Sequence, residues 1–212
     1  GHSMGGHGTW QFGTLFPGRF ATLGPSAGWG SFYSYTGRAR PRGAFARSQA
    51  SSDTPAYLAN LARRGVYAIH GTADDNVPLR EGRTMTAAAR MHTSAVELYE
   101  EPGAGHWWDR PDTPGADSVD WPALFASMRA RRLDPTETDF RFVTPTPAVS
   151  PRHSFVTVRS AADPLLDVSV TSARTGDAVA LTTTNARSLT LDGAALRARG
   201  VRSLTVDGRA VE

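Results

Sequence analysis

Three short segments of this chain carry residue types and spacings suited to nucleophilic acyl transfer. The chain opens Gly1-His2-Ser3-Met4-Gly5-Gly6, a G-x-S-x-G pattern. A serine hydroxyl is a weak nucleophile until it is exposed and a base takes its proton. A strand-to-helix turn that admits only small flanking residues supplies the exposure. The same turn aims the next backbone N–H, that of Met4, at a developing oxyanion. The second segment is Ile69-His70-Gly71-Thr72-Ala73-Asp74-Asp75-Asn76-Val77-Pro78. A carboxylate there can hold an imidazole in one tautomer and stabilise the imidazolium that forms. The third is Gly103-Ala104-Gly105-His106-Trp107-Trp108, where small neighbours leave His106 room to approach Ser3.

Each segment also has an ordinary explanation. Glycine and serine co-occur in many turns. Asp74 and Asp75 can satisfy loop N–H groups and favour the following helix N-terminus, and adjacent carboxylates allow both roles at once. A single histidine is usually a packed or surface residue, and His2, His7, His92 and His153 are read that way. His70 is read as a packing and hydrogen-bonding residue at a strand end. What lifts the three segments together is their order, Ser then Asp then His, each in the context of a strand end. That is the order of the α/β-hydrolase triad and differs from the chymotrypsin and subtilisin orders.

The elements that must position these residues follow from periodicity. Met4 to about Phe16 can begin a helix behind the glycines. Phe20–Gly24 reads as a short buried strand, and residues 30–52 as a loop or lid. Thr54-Pro55 starts a helix that Thr54 can cap, with Tyr57, Leu58 and Leu61 on its apolar face. Val66–Ile69 is an apolar run of the kind found in buried parallel strands. Pro78 opens a helix containing Leu79, Met85 and Met91. Val96–Tyr99 forms the next strand. Trp121, Leu124, Phe125 and Met128 mark one face of a helix around 121–131. Alternation of helix and strand over residues 1–133 predicts a parallel sheet covered by helices, an α/β fold. From about residue 138 the pattern changes to short β-type runs, with turn signals at Asp192-Gly193, Asp207-Gly208 and Thr175-Gly176-Asp177. Residues 138–212 are therefore expected to be a small all-β module, joined through a stretch containing Pro145, Pro147 and Pro151.

Composition narrows the chemistry. The 212 residues hold no Cys, which excludes disulfides, Cys-ligated zinc and thiol nucleophiles. All 23 basic residues are Arg, and the net charge is only +3. The arginines are scattered, so they read as solvated surface and not as a nucleic-acid interface. No apolar run is long enough to span a bilayer. Acyl transfer of this kind calls for no metal and no cofactor, and the expected substrate is a peptide or a small ester. The few aromatics of the β module, chiefly Phe140, Phe142 and Phe155, alternate with polar residues and read as core.

The sequence resembles the prolyl oligopeptidase-type serine hydrolases, an α/β-hydrolase group of peptidases and related esterases. The resemblance is carried by GHSMGG (Gly1–Gly6), HGTADDNVP (His70–Pro78) and GAGHWWD (Gly103–Asp109). It implies Ser3, Asp74 and His106 as a catalytic triad, with Asp74 preferred to Asp75, and Asn76 as a substrate-binding residue. Trp107 and Trp108 are both candidates to line the acyl or leaving-group pocket, with burial between the sheet and the terminal helix as the ordinary explanation of either; Trp107 is retained as a candidate substrate-binding residue. The group's catalytic domain includes strands ahead of the elbow and a loop giving a second oxyanion donor. These are expected to lie upstream of Gly1. VDWPALF and FVTPTPAVSPRHSFVTV look like a subgroup that adds a small β module after the hydrolase domain.

Overall fold

The computed structural model describes residues 1–211 and divides into two compact units, Gly1–Leu133 and Asp134–Glu212. The first unit begins with helix α1 (Met4–Leu15), then strand β1 (Thr22–Leu23), α2 (Phe32–Thr36), α3 (Gly43–Gln49) and two 3-10 turns, Ala50–Ser52 and Thr54–Leu61. Strand β2 (Gly65–Gly71), α4 (Leu79–Arg90), β3 (Val96–Glu101) and α5 (Pro122–Arg129) complete it. The three strands form a parallel sheet in the order β1-β2-β3.

Every residue of β2 is buried, as a central parallel strand covered on both faces requires. Its side chains alternate between two cores. Val66 packs with Trp10 of α1, Leu58 and Leu61 of the second 3-10 turn, and Met85 and Ala89 of α4. Tyr67 and Ile69 face the other way, onto Leu124 of α5, with Tyr99, Trp108 and Trp121 alongside. Helices thus lie on both sides of the sheet. Pro78 immediately precedes α4, and Pro122 occupies the first turn of α5, where its missing N–H costs nothing.

Several local expectations change. Residues 30–52 are not plain loop but carry α2 and α3. Ser31 caps α2 reciprocally with Ser34. The segment at 54–61 is a 3-10 helix, and Thr54 does not cap it. The Thr54 hydroxyl instead donates to the Gly30 carbonyl at 2.6 Å, which ties the end of this excursion to its start. β1 is only two residues long, and Phe20 lies outside it with its ring partly exposed. Met91 sits at the C-cap of α4, 82% exposed, because the helix ends before its turn reaches the core. Of the apolar residues in α5 only Leu124 is fully buried.

The second unit contains β4 (Phe140–Thr144), β5 (Arg152–His153), β6 (Val156–Ala161), β7 (Val168–Thr175), β8 (Ala178–Thr184), β9 (Ala186–Leu191), α6 (Gly193–Ala198), β10 (Ser203–Val206) and β11 (Arg209–Ala210). Two sheets result, β11-β10-β8-β7-β4 and β5-β6-β9. Their inward residues, among them Phe140, Phe142, Phe155, Val156, Val170 and Leu181, form one core. Gly176, with φ 62°, supplies the positive φ of the β7–β8 turn. Asp207-Gly208 closes β10 onto β11 with positive φ at both residues, the pattern of a type I′ turn. Asp192-Gly193 is not a turn. Asp192 caps α6 by accepting from the Ala195 N–H at 2.9 Å, so the unit is not all-β. Among the described residues no helix is long and apolar enough to cross a membrane.

Candidate active site

Residues 1–3 run beside residues 24–26 as a further parallel edge of the sheet. The Gly1 backbone nitrogen donates to Gly24 O at 3.0 Å, Ser26 N to Gly1 O at 2.8 Å, and Ser3 N to Ser26 O at 2.9 Å. Ser26 in turn bridges to Ile69 of β2. The chain then turns at once into α1. Ser3 takes up that turn with φ 56° and ψ −120°, a conformation non-glycine residues seldom adopt and one that concentrates at functional sites. The glycines around it do different work. A Cβ on Gly1 would lie 2.6 Å from Gly5 O, and one on Gly6 would overlap Ser26 O and approach Gly28 Cα to 2.8 Å. A Cβ on Gly5 would meet nothing within 4 Å. Met4 begins α1 with its side chain 71% exposed. Its N–H belongs to the first helical turn, where no intrahelical acceptor exists.

Asp74 lies in the loop after β2 with its side chain fully buried, 0% exposed. Its Oδ1 accepts from the backbone N–H of Asn76 at 3.0 Å and Val77 at 2.8 Å. Both oxygens lie within reach of His106 Nδ1, Oδ2 at 2.9 Å and Oδ1 at 3.1 Å. Since a carboxylate only accepts, His106 must carry a proton on Nδ1, which leaves Nε2 as the basic nitrogen when the ring is neutral. His70 closes the loop from below, donating from Nε2 to Val77 O at 2.8 Å. Asp74 thus makes alone both the loop contacts and the histidine contact, and Asp75 is exposed.

Among the described residues no hydrogen bond joins Ser3 to His106. His106 packs instead on His2, the neighbour of Ser3, with ring centroids 4.6 Å apart. Trp107 is 68% exposed and covers His2 at 3.9 Å between ring centroids. Trp108 turns inward against Trp121. The two tryptophans therefore part ways, one beside the histidines and one in the core. Asn76 is exposed and accepts from the Tyr35 hydroxyl at 3.1 Å, while Tyr35 stacks on Trp29 at 4.4 Å.

Sequence reasoning did not single out His2, Tyr35 or Trp29. His2 stood in view within the elbow pattern but was read as an ordinary surface or packing residue. Tyr35 lies in a segment read as loop, and no local pattern ties it to a residue 41 positions away.

A parallel sheet covered by helices, with a serine on a strained strand-to-helix turn, is the framework of the α/β-hydrolase class of serine hydrolases. Within that class the chain belongs to the prolyl oligopeptidase family, whose sequence profile matches residues 1–121. An "Uncharacterized secreted protein" of Arthroderma benhamiae is 30% identical over 115 residues, which cover 51% of this chain and 12% of that protein. A solved structure of a PHB depolymerase complexed with an R3HB trimer superposes with a TM-score of 0.41 at 15% identity, covering 80% of this chain and 61% of that one. The chain thus spans less than two thirds of the length of either.

Proposed function

We propose that residues 1–133 are the elbow-to-histidine part of a catalytic domain that cleaves amide or ester bonds through an acyl-enzyme, as a serine peptidase. Residues 138–212 are proposed as its accessory β module. The observation that carries this reading is the buried Asp74–His106 pair, on the loops that follow β2 and β3, packed against His2, which precedes the strained elbow serine. In the first step His106 Nε2 takes the Ser3 proton as Ser3 Oγ attacks the carbonyl carbon. Asp74 holds the ring and stabilises the imidazolium. The Met4 N–H meets the oxyanion. His106 then gives its proton to the leaving amine or alcohol. In the second step it deprotonates a water, which attacks the acyl-enzyme and releases the acid and Ser3. Asn76, exposed and held by Tyr35, and Trp107, exposed beside His2, are proposed as the substrate-binding residues.

A fluorophosphonate probe tests the reading. An adduct mapped to Ser3 by peptide mass spectrometry, absent in Ser3→Ala and strongly reduced in His106→Ala, is the expected result. An adduct elsewhere, or equal labelling in the His106→Ala variant, would overturn it. Turnover of a small acyl ester without turnover of a prolyl or aminoacyl amide would reassign the substrate class to esters.

A further inference from the structure

His2 occupies an unusual setting for an elbow residue. Its ring packs against both His106, at 4.6 Å and a 52° interplanar angle, and Trp107, at 3.9 Å and 39°, and those two rings meet edge to face at 5.8 Å. Its Nδ1 is 3.0 Å from Ser26 Oγ. The Ser26 hydroxyl has one proton, and it donates that proton to the Ser118 carbonyl, which can only accept. Ser26 Oγ is therefore the acceptor toward His2, and His2 must carry its proton on Nδ1. The remaining nitrogen, Nε2, is buried with no hydrogen-bond partner among the described residues. The tautomer and rotation of His2 are thus fixed by a chain of donors that ends in the loop before α5.

Building on the proposed role of His106 as general base, we infer that His2 is its positioning residue. It is a neutral, tethered ring that holds the His106 imidazole against Asp74 and, with Trp107, keeps water off the Nδ1–H···carboxylate bond. Three observations converge on this role. His2 touches His106 directly, whereas Asp74 restrains that ring only at its Nδ1 edge. The Ser26–Ser118 relay gives His2 a fixed orientation that a merely space-filling ring would not need. The charged groups facing it are His106, Asp74 and His70. Burial, followed by repulsion from His106, pushes its pKa down to about 4. His2 therefore stays neutral while His106 takes up its proton, and does not compete with it for Asp74.

The test has two arms on the whole chain. In the first, proton NMR follows the His106 Nδ1–H resonance, far downfield when bonded to a carboxylate and sheltered from exchange. It is expected in the parent, lost to solvent exchange in His2→Ala, and recovered in His2→Phe, which restores the covering ring without the tether. In the second, fluorophosphonate labelling of Ser3 is expected to slow about 10- to 100-fold in His2→Ala, as loss of geometry of this order does. Ser26→Ala, which cuts only the tether, should give a smaller loss, and His2→Phe a partial rescue. A resonance that persists unchanged in a folded His2→Ala protein overturns the inference, whatever the labelling shows. If the resonance responds as expected but the parent never labels at Ser3, the acyl-transfer reading fails and the positioning contact stands.

Discussion

The glycine pattern of the elbow makes a prediction opposite to the one its motif suggests. By the G-x-S-x-G signature, Gly5 is the second essential glycine and Gly6 is incidental. In the structure Gly5 faces open space, while a Cβ on Gly6 would press on backbone atoms of Ser26 and Gly28, at 2.8 Å from Gly28 Cα and 2.9 Å from its nitrogen. Ordinary carbon contacts need about 3.5–4.0 Å, and backbone atoms cannot rotate aside. Gly→Ala inside a helix gains up to about 1 kcal/mol from propensity at either position. That gain cancels between the two variants. Their difference therefore reads the overlap alone, about 1–3 kcal/mol for overpacking of this kind. In a chain of this length each kcal/mol corresponds to roughly 2–4 °C in Tm, so Gly5→Ala should melt at or above the parent and Gly6→Ala measurably below it. Pressure on Ser26 also reaches Ser3, the proposed nucleophile, because Ser26 O accepts the Ser3 N–H. A shift of about 1 Å there is expected to slow fluorophosphonate labelling by about 100-fold. The assay is a thermal melt of the three proteins beside labelling time courses. Equal melting points, or a Gly5→Ala variant less stable than Gly6→Ala, would refute the reasoning.

Other consequences follow from single contacts. Asp74→Asn places an NH2 where the carboxylate now accepts from Asn76 N, Val77 N and His106 Nδ1. Labelling should fall about 10³- to 10⁴-fold through the wrong His106 tautomer, with a lower Tm, and a parent-like rate would count against the assigned role. His2 has its folded pKa lowered from 6.5 to about 4, so between those values the unfolded chain binds more protons than the folded one. Its contribution is therefore fully present above pH 6.5 and lost as pH falls toward 4. A melting series should decline across that window, and His2→Phe should flatten the decline. In the second unit, Phe142 is fully buried in the core between the two sheets. Phe142→Ala is expected to destabilise that unit by about 3–5 kcal/mol, read by urea denaturation.

The periodic elements were legible because each is written in one stretch of chain. The run Val66–Ile69 forms a strand buried on both faces, and Phe140, Phe142 and Phe155 lie in the second core as their alternation indicates. Departures occur where a distant group decides. Thr54 has the right type for a cap, but the Gly30 carbonyl 24 residues away claims its hydroxyl. Residues 30–52 are rich in glycine, serine and arginine, which hides two helices of five and seven residues. Helices that short gain little from their own propensity and form where neighbours hold them. Ser34 and the Gly30 N–H are both fastened to Glu81 of α4, a partner that no local pattern points to. Asp192-Gly193 has the composition of a turn, yet the same carboxylate that favours turns also caps α6.

The candidate site shows the same division between local and distant information, in a sharper form. In the sequence, adjacent Asp74 and Asp75 allow both the ordinary and the chemical role at once, one carboxylate for the loop N–H groups and the other for a histidine. In the structure the Asp74 carboxylate alone meets both sets of groups, with His106 Nδ1 within reach of both of its oxygens. Oδ1 is held by the N–H groups of Asn76 and Val77, which fixes the carboxylate with His106 Nδ1 at 2.9 Å from Oδ2 and 3.1 Å from Oδ1. With His106 as the proposed base, holding the loop and orienting that base rest on the same carboxylate. A substitution that preserves charge but not reach, such as Asp74→Glu, should lose both together, as a lower melting temperature and slower labelling in the same protein. Preserved stability with lost labelling would separate the two roles and show that the loop does not depend on Asp74.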